Sequence, residues 1–263
     1  MRRPHRPSPR NMKALVTRPR EDAAGLTAAL LARGVEPLLE PLLSIELARD
    51  AQVTLAAALP GAQAALFTSA NGVRAFARLS PRRDLPALAV GDATARAAQA
   101  AGFAQVESAG GDVHALAALA ARRLDPAAGA LIHPAASAVA GDLAGELARA
   151  GFAVRRLRLY EAVAATGLTA EAHAAITAGA VGIAIFFSPR TAETFVTLAR
   201  AAGLQDRTAS IAAIVLSPAV AASLGALTWR RVDVAAAPNE PALLAALDRA
   251  LHAAQTGDKE QRA

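Results

Sequence analysis

At 263 residues, 54% of them hydrophobic and 19% charged, the chain holds enough apolar material for one large domain or two of about 120 residues, and its composition is not that of a disordered protein. Aromatic residues are only 3%, which leaves Ala, Leu and Val to build the core. The formal charge of +6 falls to +2 once Arg2, Arg3, Arg6 and Arg10 are set aside, so nucleic-acid binding is not indicated, and the absence of cysteine excludes disulfides, thiolate catalysis and cysteine metal sites.

The leader, residues 1–11, has no apolar stretch of the secretory type, and Pro4, Pro7 and Pro9 oppose a targeting helix. It reads as a disordered basic tail, or as an early start ahead of Met12, and a cytoplasmic protein is expected. No later run is apolar over the ~18 residues that a membrane span needs. The first strand is Ala14-Leu15-Val16, followed by a turn at Thr17-Arg18-Pro19 and a helix to Arg33 closed by Gly34. Residues 36–45 then read as an extended apolar crossing, broken by Pro37 and Pro41. A strand at Ala64–Phe67 leads into Thr68-Ser69-Ala70-Asn71-Gly72 and a helix at Val73–Leu79. A strand at Leu88–Val90 leads through Gly91-Asp92-Ala93-Thr94 into a helix to Ala101, closed by Gly102. Short apolar runs with a polar turn and a helix after each predict buried parallel strands, and glycine after a helix suits a C-cap.

The same units recur in the second half. Ala14–Pro37 resembles Ala130–Val154, with Arg33-Gly34-Val35 answered by Ala150-Gly151-Phe152. Ala64–Phe76 resembles Ile183–Phe195, with Phe67-Thr68-Ser69 set against Phe187-Ser188-Pro189. Leu88–Gly102 resembles Ile214–Gly225. Gly111-Asp112 and Pro238-Asn239-Glu240 each precede a helix, at 113–123 and 241–253, and Gln255–Ala263 reads as a disordered tail. Preserved order across four units predicts two copies of one α/β domain, each an open parallel sheet with helices on both faces. Plain order puts the cut near residue 126. Residues 36–45 and 155–163 follow the second strand of each copy and are expected to pair as a ladder.

In open parallel sheets ligands bind beyond the carboxyl ends of the strands. The turns there carry Thr17, Thr68, Ser69, Asn71, Asp92, Thr94, Ser137, Ser188, Arg190, Thr191, Ser217 and Ser223. Hydroxyls and free N–H groups at helix starts suit a ligand with several carboxylates. Helix capping alone accounts for any single one of them. Among the histidines, His5, His114, His133, His173 and His252, there is no metal spacing, and only His133 ends a strand near the turns. Arg155, Arg156 and Arg158 read as a solvated strand face. There is no phosphate loop, no dinucleotide fingerprint and no nucleophile elbow. Catalysis by binding and positioning is what remains.

Several of these pieces, in this order, resemble the uroporphyrinogen-III synthases. They are Leu15-Val16-Thr17-Arg18-Pro19, Leu66-Phe67-Thr68-Ser69-Ala70-Asn71-Gly72-Val73 and Ala89-Val90-Gly91-Asp92-Ala93-Thr94-Ala95, then Leu159-Tyr160-Glu161 and Phe186-Phe187-Ser188-Pro189. The resemblance runs from Lys13 to Ala250. It implies two similar flavodoxin-like α/β lobes with open parallel sheets, joined by a two-stranded β-ladder, with the ligand cleft between them. It moves the first strand–helix unit to the C-terminal half. Lobe one becomes 12–37 with 168–255, lobe two 46–157, and 38–45 and 158–167 become linker strands. The implied reaction closes hydroxymethylbilane, with its eight carboxylates, to uroporphyrinogen III. Water is lost and ring D is inverted through a spiro intermediate, with no cofactor and no metal. The implied setting is tetrapyrrole biosynthesis, with the bilane-forming enzyme upstream as a further partner and a monomer as the expected state.

Carried over residue by residue, Thr68, Ser69 and Thr94 match substrate positions on lobe two and Ser188 on lobe one. Tyr160, the only tyrosine, matches the one proposed to aid loss of the hydroxyl, and interface packing is its other reading. Thr17, Arg18, Ala70, Asn71, Gly91, His133, Ser137, Arg190 and Ser217 complete the candidate substrate set. Val220 stands where a threonine is common in the family, so either Ser217 supplies that hydroxyl or the contact is backbone only. The rival reading is a bilobed cytosolic binding or sensor protein without catalysis.

Overall fold

Four apolar strands of the two cores, Lys13–Val16, Ala62–Phe67, Val181–Phe186 and Ala212–Val215, each end within two residues of a Thr or Ser. The computed structural model describes residues 12–136 and 141–260, with side chains as far as residue 253. In chain order the elements are β1 (Lys13–Val16), α1 (Ala24–Leu31), β2 (Glu36–Leu39), β3 (Leu43–Leu47), α2 (Ala51–Ala58), β4 (Ala62–Phe67) and α3 (Ala70–Leu79). There follow β5 (Ala87–Ala89), α4 (Asp92–Ala100), β6 (Val106–Ser108), α5 (Val113–Arg123), β7 (Ala130–Ala136), α6 (Leu143–Arg149) and β8 (Val154–Ala164). The last are α7 (Ala170–Thr177), β9 (Val181–Phe186), α8 (Pro189–Ala201), β10 (Ala212–Val215), α9 (Pro218–Ser223), β11 (Arg231–Val234) and α10 (Glu240–Glu260). The last helix thus runs past Gln255, where the sequence had suggested a disordered tail. Residues 1–11, Ser137 and residues 261–263 lie outside the described residues.

The strands form two sheets, five in the order β2-β1-β9-β10-β11 and six in the order β3-β8-β7-β4-β5-β6. The pairs among β1, β2 and β9–β11 are parallel, as are those among β4–β8. Among the described strands only β3 runs against its neighbour. Ala48 N–H donates to Leu159 O and Ala165 N–H to Leu42 O, partners whose numbers fall on one strand as they rise on the other. The chain divides into two compact units, one running to Ser44 and resuming at Val163, the other Ile45–Ala162. Plain order fails because β7 and β8, beyond residue 126, complete the sheet that β4 begins. Residues 38–45 lie in β2, β3 and the turn between them, and residues 158–164 form the end of β8, so the two expected linker strands contain the β3–β8 pair.

Both sheets are doubly wound. The first has the order 2-1-3-4-5, and the second, apart from β3 at its edge, has the same order entered at its third strand. The reversal of strand order falls between β1 and β9 in one sheet and between β7 and β4 in the other. Alternation within each strand feeds two apolar layers. Leu15, Ala184, Phe186, Ala213 and Val215 face α7, α8 and α9, while Val16, Ile183, Ile185 and Ile214 face α1 and α10. In the second unit Ala65, Phe67 and Ile132 face α2, α3 and α4, and Ala64, Leu66 and Leu131 face α5 and α6. No helix among the described residues is long and apolar enough to cross a membrane.

The core is not left to Ala, Leu and Val. Six of the nine aromatics are gathered in two trios, Phe67, Phe76 and Phe103, with centroids 5.4–5.9 Å apart, and Phe186, Phe195 and Trp229, 5.4–5.8 Å apart. The trios occupy equivalent places in the two units, and edge-to-face rings fill volume that small side chains leave open.

Candidate functional site

The rim at the β7/β4 reversal is built by three consecutive devices. Phe67 ends β4 in the core, Thr68 turns the chain, and Ser69 caps α3 by accepting from Gly72 N–H at 3.2 Å. Gly72 has no room for a side chain, since a Cβ would stand 2.8 Å from Pro134 O. That close approach seats the start of α3 against β7.

Behind each hydroxyl stands a buried polar ring. Thr68 Oγ1 is 3.2 Å from His133 Nε2, and Ser69 Oγ is 2.7 Å from Tyr160 Oη. His133 is 2% exposed, so it reaches the rim only through Thr68. Burial first, and the charge of Arg156 second, push its pKa down to about 4, and the imidazole is neutral. Tyr160 is also buried; burial raises its phenol pKa against the opposing bond to Ser69, so it keeps its proton. A β-bulge aims it. Ala135 pairs with Arg158 but Ala136 with Tyr160, and the extra residue turns Tyr160 onto the face already used by Leu157 and Leu159.

Elsewhere on this unit Asn71 Oδ1 accepts from Arg74 Nη1 at 2.6 Å, and Ala70 opens α3 half-buried. Gly91 caps α4. A Cβ placed on it would meet nothing nearer than Gly111 O at 4.0 Å, so the protein alone does not require glycine there. Thr94 lies one turn into α4 and is buried rather than at the rim surface. Asp92 is held by Ser108 Oγ at 2.7 Å. Arg155 binds the carbonyls of Ala58 and Pro60 and Arg156 that of Ala136, while Arg158 is exposed.

The rim at the β1/β9 reversal differs. Thr17, expected to face ligand, is fully buried and donates to Ile185 O at 2.6 Å, a strand-to-strand bond that occupies its hydroxyl. Arg18 pairs with Glu240 at 2.8 Å and stacks over Phe187 at 4.3 Å. Ser188 caps α8 and shares a hydrogen bond with Thr191 Oγ1 at 2.8 Å. Arg190 is exposed on the first turn of α8. Ser217 precedes α9 half-buried with its side chain capping no backbone group, while Val220 is a core residue.

These positions correct the alignment of the repeats by one residue. Phe67 and Phe186 both end a strand and join an aromatic trio, and Ser69 and Ser188 both cap the next helix. Thr68 is therefore equivalent to Phe187, not to Ser188. Glu240 and Arg156 were not among the candidate site residues. Glu240 meets Arg18 across 222 residues of sequence, and nothing local announces such a pair.

A family model described as uroporphyrinogen-III synthase HemD matches residues 24–245, which pass through both units. The chain belongs to the uroporphyrinogen-III synthase family. Members of this family are cyclising lyases of tetrapyrrole synthesis. Uroporphyrinogen-III synthetase from Helicobacter pylori superposes with a TM-score of 0.54 at 18% identity, over 89% of this chain and 96% of its own, and so shares the fold. A mutant uroporphyrinogen III synthase from the extremely thermophilic bacterium Thermus thermophilus aligns at 20% identity over 92% and 99%, with a TM-score of 0.49. No curated protein sequence matches. This chain has a single tyrosine, and its hydroxyl lies 2.7 Å from that of Ser69.

Proposed function

We propose that the chain closes hydroxymethylbilane to uroporphyrinogen III, with loss of water and inversion of ring D. The observation that carries this reading is the family match over residues 24–245, which includes the turns at 68–72, 91–94, 188–191 and 217. Neutral hydroxyls and helix N-termini suit a polycarboxylate without demanding a fixed cation for each group. We assign substrate contacts to Thr68, Ser69, Ala70, Asn71 and Gly91 on one rim and to Ser188, Arg190 and Ser217 on the other. Thr17 serves its own unit, because its hydroxyl is engaged by Ile185 O, and Arg18 pairs there through Nη1 with Glu240.

Tyr160 acts through Ser69. Its raised pKa disfavours full transfer of the phenolic proton, so it donates a hydrogen bond that strengthens Ser69 as a donor to the departing hydroxyl. No cofactor enters this scheme; the protein's contribution is to hold the bilane for one closure over another. We place the reaction in the cytoplasm, on a monomer that takes its substrate from the bilane-forming enzyme. The test is to supply hydroxymethylbilane without additives, oxidise the products and separate the isomers. Type III above the protein-free control is expected; type I alone from folded protein would remove the proposal.

A further inference from the structure

His133 is not demanded by the fold. Leu131 and Ile132 pair with Ala64 and Ala65 as Ala14 and Leu15 do with Ile183 and Ala184, which makes Val16 the counterpart of His133. Val16 is fully buried in an apolar layer with Phe187, the counterpart of Thr68. One unit thus closes this place with Val and Phe, and the other keeps His and Thr. A polar ring in a site that an apolar side chain fills is unfavourable unless hydrogen-bonded. Here only half the ring is bonded: Nε2 meets Thr68 Oγ1, while Nδ1 has no hydrogen-bond partner among the described residues.

The tautomer decides what Thr68 can do. With the hydrogen on Nδ1, a buried N–H goes unbonded, and Nε2 takes the hydroxyl hydrogen of Thr68. The rim then sees only oxygen lone pairs. With the hydrogen on Nε2, the unbonded atom is an acceptor, the less costly omission, and Thr68 keeps its hydrogen to give.

We infer that His133 is a positioning residue, whose Nε2–H donates to Thr68 Oγ1 and turns the hydroxyl hydrogen of Thr68 toward the rim to meet a carboxylate of the substrate. The identity of that carboxylate rests on the synthase reading; the tautomer does not. The ring stays neutral because burial holds its pKa near the bottom of the histidine range, at about 4.

Nitrogen-15 spectra of the ring in the whole chain, with the His133 signals identified by their loss in His133→Gln, read the tautomer without any substrate. A protonated Nε2 and a bare Nδ1 near neutral pH are expected; the reverse overturns the inference. The second arm uses steady-state kinetics, once the unsubstituted chain is shown to make the type III isomer. His133→Leu is expected to raise KM about fivefold and leave kcat nearly alone, the scale of one modest hydrogen bond. His133→Gln, with an amide N–H to offer Thr68, restores most of that loss, and His133→Leu adds nothing in a Thr68→Val background. An equal rise in both backgrounds overturns the inference. If the chain makes no type III isomer, the substrate assignment falls and the ring spectrum alone decides the tautomer. If His133→Leu does not fold, the spectrum and His133→Gln decide it.

Discussion

Where β7 and β4 part, the unit of residues 45–162 presents Thr68 and Ser69 backed by His133 and Tyr160. Where β1 and β9 part, the other unit presents Phe187 and Ser188 backed by Val16 and Thr191. Both have the serine cap, the aromatic trio beneath it and the parallel register. Those shared parts are what the architecture needs to stand. The polar pairs occur in one unit only, so they serve something other than folding. The buried, half-satisfied ring of His133 lowers stability, and oriented donors at the rim are what it supplies in exchange.

The shared parts are tested first, because they carry the largest expected effect. Phe76→Ala and Phe195→Ala each remove the helix-borne ring of a trio and are expected to cost about 3–5 kcal/mol in urea unfolding of the whole chain. Similar losses would support structural equivalence of the two trios. A loss in one several times that in the other would break the comparison at its base.

The polar ring sharpens the comparison next. His133 titrates near 6.5 when unfolded and at about 4 when folded, because burial, then Arg156, oppose its charged form. A depressed folded pKa means that the unfolded chain takes up the proton first. Its contribution is therefore complete above pH 6.5, falls as the pH drops toward 4, and changes no further below that. The full difference is about 3 kcal/mol. Urea midpoints measured from pH 7 to 4 are expected to fall more for the unsubstituted chain than for His133→Gln. Parallel curves would show that the ring is not held neutral.

Much of this frame could be read from the residues. The strand–turn–helix units follow from apolar runs that end in Thr, Ser or Asp, and Gly34, Gly102 and Gly151 all take the positive φ that a helix stop requires. The order of units exposed the duplication. Periodicity alone could not show which strands share a sheet, since β1 and β9 are joined through space and not through the chain, and it was the resemblance that grouped the first unit with the C-terminal half. The one-residue error in matching the copies had a local cause: Phe186-Phe187 offers two phenylalanines to align with Phe67, and only packing chooses between them. The site was legible as residue types but not as pairs. Tyr160 was found by resemblance, yet its partner depends on a bulge, and alternation alone would point it to the opposite face. Thr17 was misjudged because a strand-end threonine looks the same whether its hydroxyl faces a ligand or bonds the next strand.

The smallest effects separate two serines that do the same work for the backbone. Ser69→Ala and Ser188→Ala each lose an N-cap and are expected to cost about 1 kcal/mol in stability. Their kinetics should part. Ser69 carries the bond to Tyr160, so its loss lowers kcat about 10–100-fold, and Tyr160→Phe falls in the same range while the chain still folds. Ser188 is backed by Thr191, a neighbour that holds the cap and has no acidic proton to lend. Its alanine variant is expected to raise KM with kcat nearly kept. Equal falls in kcat for the two serine variants would mean that the tyrosine adds nothing to Ser69, and that the two rims differ in composition but not in chemistry.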